Sequence, residues 1–377
     1  MKKIGILTFH AAQNYGASLQ CYALLTTLTE IGIDAEIINY LPVRRWSRFG
    51  KWSRFITPAY IVRLLYNIPY MHQLLQMSSA YRLFSSKYYI IEPSYTLNDN
   101  TISEASQKYE AIFFGSDQIW NLGEKMYDRS EIFFGTFEYS GLKFSYAASF
   151  GDEIKELETY HSDFIKKYLS RFSQLSVREQ SGKELLLRLG INSTITIDPT
   201  MLLSKEKWSK LAGETPLIQG EYILYYSVNG RGYSRKFAQK LSKQTGLKVI
   251  NIVPHPKTFG AGFENHYNFG PLEFLNCIKF AKYTVVNSFH GTVFSILFEK
   301  SFYSVFPDIE GEIQLDARRY TLLSSLSLED NMVTQNSEIK FNAIDYANVQ
   351  QRLKQQVNES IEYIRQCIEM LENNDKY

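Results

Sequence analysis

The feature that most constrains the fold is a repeated alternation. Short apolar runs stop at Gly, Ser, Asn or Asp and give way to helical periodicity. Crossover helices between successive short runs force neighbouring strands to lie parallel, so the pattern predicts a parallel α/β architecture. Residues 4–9 read as the first buried strand, 10–16 as its loop, and 17–31 as a helix with Leu24, Leu25 and Leu28 on one face. Strands follow at 35–39, 111–114, 143–147, 173–177 and 194–197. A polar connector at 204–219, carrying Gly213 and Pro216, interrupts the pattern before it restarts at 222–226. Beyond it come strands near 248–253, 283–286 and 302–306 and helices around 235–245, 271–281 and 292–299. A chain of 377 residues accommodates two such domains, here 1–205 and 218–335. The last segment, 344–373, is an amphipathic helix: Val349, Leu353, Val357, Ile361, Ile364, Ile368 and Leu371 step by four and three, a stripe that packs back on the body.

Charge is informative only when resolved along the chain. The net charge of +2 gives no support to a general nucleic-acid binder. Between Glu36 and Glu92, however, no acidic residue occurs, while Arg44, Arg45, Arg48, Lys51, Arg54, Arg63, Arg82 and Lys87 do. Trp46-Ser47-Arg48-Phe49 is repeated as Trp52-Ser53-Arg54-Phe55. Arg interleaved with Trp suits an interfacial segment, rings at headgroup depth and cations on lipid phosphates. It equally suits a helical insertion, at about 43–90, with a solvated basic face. On the first reading Arg44, Arg45, Trp46, Arg48, Trp52 and Arg54 face the membrane or an acceptor. Cys21, Cys277 and Cys367 are far apart, which indicates neither a disulfide framework nor a zinc site, and no metal is expected. The N-terminal apolar run is too short for a signal peptide, and no window reaches the ~18 apolar residues of a membrane span. The expected location is cytoplasmic, with any membrane contact peripheral, at the inner face.

In open parallel sheets, ligands bind beyond the carboxyl ends of the strands. The first such loop has only Gly16, so the G-x-G-x-x-G dinucleotide fingerprint is absent, although a helix starting there offers N–H groups to an anion. Asn14-Tyr15-Gly16 also reads as plain turn chemistry. Gly115-Ser116-Asp117 follows an apolar strand and places Asp117 at its exit, as a functional carboxylate or a helix N-cap. Arg178 exits the next strand but one, offering a planar fork to carboxylate or phosphate, or a partner to Glu179. The densest signal is Asn287-Ser288-Phe289-His290-Gly291-Thr292, where His290 stands before a glycine expected to open a helix. Imidazole and helix N-terminus then share one space, which suits phosphate binding with proton transfer.

Taken together, these residues resemble the polysaccharide pyruvyl transferase family. The matching stretches are Asn14-Tyr15-Gly16-Ala17 with Leu19-Gln20, Gly115 to Trp120, Ser176-Val177-Arg178-Glu179, Asp198-Pro199, Gly270 to Phe274, and Ser288 to Thr292, in the expected order. The resemblance implies a GT-B-like fold, two Rossmann-like domains whose parallel sheets face a cleft. It implies phosphoenolpyruvate as donor, no cofactor, and a pyruvyl ketal formed on a surface polysaccharide (exopolysaccharide or capsule) or its polyprenyl-linked oligosaccharide precursor. By the same resemblance His290, Asp117 and Arg178 are catalytic, and Asn14, Tyr15, Gly16, Ser116, Ser288, Gly291 and Thr292 bind the donor. Some members carry Arg two residues before this histidine. Ser288 stands there, leaving Lys282, Arg231 or Arg235 to supply the cation. Two other readings stay open: a GT-B glycosyltransferase using a nucleotide sugar, with Glu273 on its ribose, and a non-catalytic glycan-binding or scaffold protein.

Overall fold

A computed structural model describes residues 3–41, 70–93, 99–122, 131–152, 154–228, 232–252 and 261–374. Arg44, Arg45, Trp46, Arg48, Trp52 and Arg54 lie outside them. The first half runs β1 (Lys3–Leu7), α1 (Tyr15–Glu30), β2 (Asp34–Ile37), α2 (Met71–Tyr88), α3 (Asp99–Ser106), β3 (Ala111–Phe114), β4 (Leu142–Ser145), α4 (Ile154–Leu169), β5 (Ser176–Val177), α5 (Gln180–Arg188) and β6 (Thr194–Ile195). All its strand pairs are parallel: β2-β1-β3-β4 is one ladder, β5 pairs β6, and single bridges such as Ala148 to Val177 join the two groups. The central strand β3, Ala-Ile-Phe-Phe, is buried at every position, as a strand covered on both faces of a parallel sheet requires.

Residues 204–219 are more than a polar connector. They hold α6 (Lys205–Ala212), N-capped by Ser204, whose Oγ accepts the Lys207 N–H at 3.4 Å. This helix buries Trp208 completely. The indole donates to Thr200 O at 2.8 Å and meets Tyr22 of one half and Phe294 of the other edge-on, at 5.8 and 5.0 Å. Sequestering such a ring contributes roughly 1.5–3 kcal/mol, here spent on joining the halves.

The second half contains β7 (Tyr222–Tyr226), α7 (Gly232–Thr245), β8 (Lys248–Asn251), β9 (Glu264–Asn265), α8 (Pro271–Phe280), β10 (Tyr283–Val286), α9 (Phe289–Leu297), β11 (Ser301–Phe306), the antiparallel hairpin β12 (Asp308–Ile309) with β13 (Glu312–Ile313), α10 (Ala317–Ser325) and β14 (Met332–Thr334). Its main sheet is parallel throughout, in the order β14-β11-β10-β7-β8-β9. The final helix, α11 (Tyr346–Asn374), starts on the second half, where the Tyr346 hydroxyl donates to Lys300 O at 2.6 Å. It ends on the first: Ser360 Oγ accepts the Ile197 N–H at 3.1 Å and the Tyr363 hydroxyl donates to Ser145 O at 2.7 Å. The apolar stripe read from sequence thus covers both halves. Among the described residues, no helix is long and apolar enough to cross a membrane.

Candidate functional site

The carboxyl ends of β3, β5 and β6 and of β10 converge where the halves meet. After β3 the chain turns at Gly115, whose φ is +124° and where a Cβ would lie 2.3 Å from Tyr146 O, so only glycine fits. The following Gly115–Ser116 peptide is cis. Ser116 is fully buried and held on every polar atom. Its N–H donates to Gln20 Oε1 at 3.1 Å, its carbonyl accepts from Thr8 Oγ1 at 3.1 Å, and its hydroxyl donates to Ala147 O at 2.9 Å. Asp117 follows with φ +75°, and no helix begins there, so it is not the N-cap that its sequence setting allowed.

Arg178 leaves β5 into this space with its side chain only 2% exposed. Nη2 donates to Ser116 Oγ at 2.6 Å and pairs with Asp198 Oδ2 at 3.1 Å, and the guanidinium lies over the Phe289 ring, 4.7 Å from its centroid. Nε and Nη1 are buried and, among the described residues, have no hydrogen-bond partner. Leaving a buried charged donor unmade costs upward of about 1–3 kcal/mol, so the two nitrogens point to an acceptor that arrives with a ligand.

Asp198, fully buried after β6, caps the turn Pro199–Met201, and its Oδ1 accepts from Thr200 N at 3.0 Å and Thr200 Oγ1 at 2.6 Å. That leaves Oδ2 for Arg178 and for the Ser116 hydroxyl at 3.3 Å, with His290 Nε2 3.4 Å away and, among the described residues, making no hydrogen bond. Burial opposes ionisation of Asp198, but Arg178, His290 and Thr200 outweigh it and hold the carboxyl well below the usual range.

His290 comes from the other half. α9 begins at Phe289, earlier than sequence suggested, because the Ser288 side chain caps it by accepting the Gly291 N–H at 3.0 Å. His290 therefore sits in the first helical turn, not before it. Its ring is wedged against α1: a Cβ on Gly16 would lie 1.9 Å from His290 Nδ1. One ring nitrogen faces Gly16 and the other Asp198, so the site is complete only where the halves touch.

The remaining sequence candidates line the same junction. Asn14 caps α1, accepting the Ala17 N–H at 3.1 Å. Tyr15 pins the halves together, its hydroxyl within 3.0 Å of Ile252 O and 3.1 Å of Phe269 O and its ring stacked on Phe274. Thr292 Oγ1 donates to Ser288 O at 3.0 Å and lies 3.1 Å from Ser304 Oγ. Lys282 stands at the opposite end of β10, paired with Glu221 at 2.8 Å, and Arg231 lies outside the described residues. A further cation at the junction is Arg318, in the first turn of α10. Its Nη2 meets Asp316 at 2.8 Å and Asp152, from the other half, at 3.6 Å. With the Gln118 amide oxygen turned toward it, Gln118 accepts from Nη2 at 3.1 Å. The available signal was an Arg pair in a helical first turn, where cations oppose the helix dipole. Asp198 was visible as a strand-exit Asp-Pro among the stretches that carry the family resemblance, with no role attached to it.

Glu179, beside Arg178, is fully buried. Its Oε1 accepts the Phe150 N–H at 2.8 Å, while Oε2 has no partner among the described residues. Burial pushes this carboxyl from 4.5 up to about 7, against the pull of Arg178 and Arg318. Between those two values the folded chain keeps a proton that the unfolded chain has released, so stability falls as pH rises through that window. The loss reaches about 3 kcal/mol above pH 7. Urea unfolding of Glu179→Gln should lack this slope and match or exceed wild type at pH 8. An unchanged slope in the variant would assign the pH dependence elsewhere.

A sequence model of the polysaccharide pyruvyl transferase family matches residues 14–306, which contain Arg178, Asp198 and His290. No curated protein sequence matches the chain. Its fold is shared by solved structures, among them two epimerases. The UDP-GlcNAc 2-epimerase from Methanocaldococcus jannaschii is 12% identical with a TM-score of 0.51, over 95% of this chain and 93% of that one. The UDP-GlcNAc 2-epimerase from Neisseria meningitidis, bound to UDP-GlcNAc, is 9% identical with a TM-score of 0.51, over 98% and 100%. The likeness identifies the architecture as GT-B.

Proposed function

We propose, from the premise that the chain belongs to the polysaccharide pyruvyl transferase family, that it moves the pyruvyl group of phosphoenolpyruvate onto two hydroxyls of one sugar as a ketal, releasing inorganic phosphate. The acceptor is a surface polysaccharide or its polyprenyl-linked oligosaccharide precursor. The observation that carries the donor assignment is the pair of buried, unpartnered Arg178 nitrogens beside an imidazole.

The chemistry sets the roles. The C2–O bond to phosphate breaks, two C2–O bonds to the sugar form, and C3 gains a proton to become a methyl group. Of the two hydroxyl protons lost, one balances that at C3 and the other leaves with phosphate. Arg178 grips the donor carboxylate or phosphate through Nε and Nη1. His290 supplies the proton to C3 or meets the phosphate, and Asp198 Oδ2 lies beside both the Arg178 and His290 side chains. Asp117, half-buried at the edge of the cleft, takes the acceptor proton. Ser116, Ser288, Gly291 and Thr292 shape the donor pocket, Asn14, Tyr15 and Gly16 its floor, and Arg318 stands in for the cation that position 288 lacks.

The nucleotide-sugar reading asked Glu273 to meet a ribose. Its carboxylate caps its own helix by accepting the Gly270 N–H at 2.9 Å. Titration calorimetry separates the readings: phosphoenolpyruvate should bind and be displaced by inorganic phosphate, with UDP-sugars inert. Binding of a UDP-sugar but not of phosphoenolpyruvate would overturn the assignment.

A further inference from the structure

We propose that the outward face of α2 docks the protein on an anionic lipid surface, with the mouth of the cleft turned toward it. The inner face of this helix is fixed to both halves. Tyr81 stacks on Tyr15 at 5.8 Å, Ser78 Oγ accepts from Gln13 Nε2 at 3.0 Å, and Ala80 is so close to Gly270 that a Cβ there would lie 2.6 Å from its own. Gln13 belongs to the loop after β1 and Gly270 caps α8, so α2 runs along the edge of the interdomain junction.

The outward face has no partner among the described residues. Met71, Leu75 and Leu83 are 40%, 59% and 66% exposed, and Ile90, just beyond the helix, is 54% exposed. Positions 71, 75 and 83 fall on one side of a helix, and exposed Arg82, Lys87 and His72 flank them. The helix contains no Asp or Glu, nor does any position from 37 to 91. Apolar side chains at the acyl boundary with cations at phosphate depth make up an interfacial helix, and each component alone binds only marginally.

Charge selects the occupant. Within α2 the charged side chains are Arg82 and Lys87, with no carboxylate beside them. Anionic lipid therefore attracts this face. A second copy of the chain would bring one basic face against another and is disfavoured. The inference does not depend on the donor chemistry.

Co-sedimentation with vesicles of phosphatidylcholine, with and without phosphatidylglycerol, tests it. The protein should sediment with the anionic vesicles only, less so as salt rises. Leu75→Asp/Leu83→Asp should weaken that binding by about tenfold or more. Its melting temperature should not move, because both side chains are exposed. Three results overturn the proposal: no binding of the wild type to anionic vesicles, undiminished binding by the double variant, or a wild-type dimer on size exclusion that the double variant dissolves, which assigns the face to self-association.

Discussion

Arg178→Met is expected to abolish phosphoenolpyruvate binding and to destabilise the fold together. Asp198 is fully buried, and its Oδ2 relies on the guanidinium at 3.1 Å. Removing one partner of such a pair leaves an uncompensated buried charge, at a cost of about 3–5 kcal/mol. Turnover should fall by at least about 10²- to 10³-fold, as when a preorganised charge-stabilising donor is deleted. The two losses separate in Arg178→Met/Asp198→Asn, which removes the stranded charge and should recover much of the stability without recovering binding. Arg178→Lys restores a cation but not the fork that reaches Ser116 and leaves nitrogens for a ligand, so it should fold better than the methionine variant and bind poorly. Urea unfolding and calorimetry read both effects. A double variant that binds phosphoenolpyruvate like wild type would show that Arg178 serves only Asp198.

The second large effect comes from one methyl group. Gly16 lies within α1 at a φ that any residue adopts, so alanine there should favour the helix by up to about 1 kcal/mol. The methyl, however, would stand 1.9 Å from His290 Nδ1, well inside any real contact. The ring must leave Asp198. Gly16→Ala is therefore expected to retain its helix content while phosphate release falls about 10²- to 10⁴-fold, the usual contribution of a positioned proton donor. Gly16→Ala/His290→Ala removes the clash and should regain stability with no gain in activity. Full activity in Gly16→Ala would mean that the seat of His290 between the halves is not the working one.

Much of this architecture was legible because the signals were local. β7 and β10 match their sequence reading at both ends, since each is a run of aromatic and mostly β-branched or aliphatic residues between a charged residue and a polar Ser227 or Asn287. The run at 173–177 yielded only the two-residue β5, because the edge of that sheet is joined by single bridges that no local pattern encodes. α9 began at Phe289, not Thr292: Gly291 reads as a breaker, and the Ser288 cap that overrides it is a three-dimensional contact. Within the site, Arg178 and His290 stood out as charged or titrating groups at strand exits. What joins them did not. Asp198 meets Arg178 across the sheet and His290 across the domain junction, and Gly16 matters because of a ring from the other half. Pairings set by tertiary approach leave no periodicity to read.

The central claim is that phosphoenolpyruvate is the donor, and phosphorus NMR of the protein incubated with it and a glycolipid fraction tests that most directly. Inorganic phosphate should appear only when the acceptor is present, and the His290→Ala variant should not release it. Phosphate release untouched by His290→Ala, or a nucleoside diphosphate released from an added nucleotide sugar while phosphoenolpyruvate persists, would contradict the account.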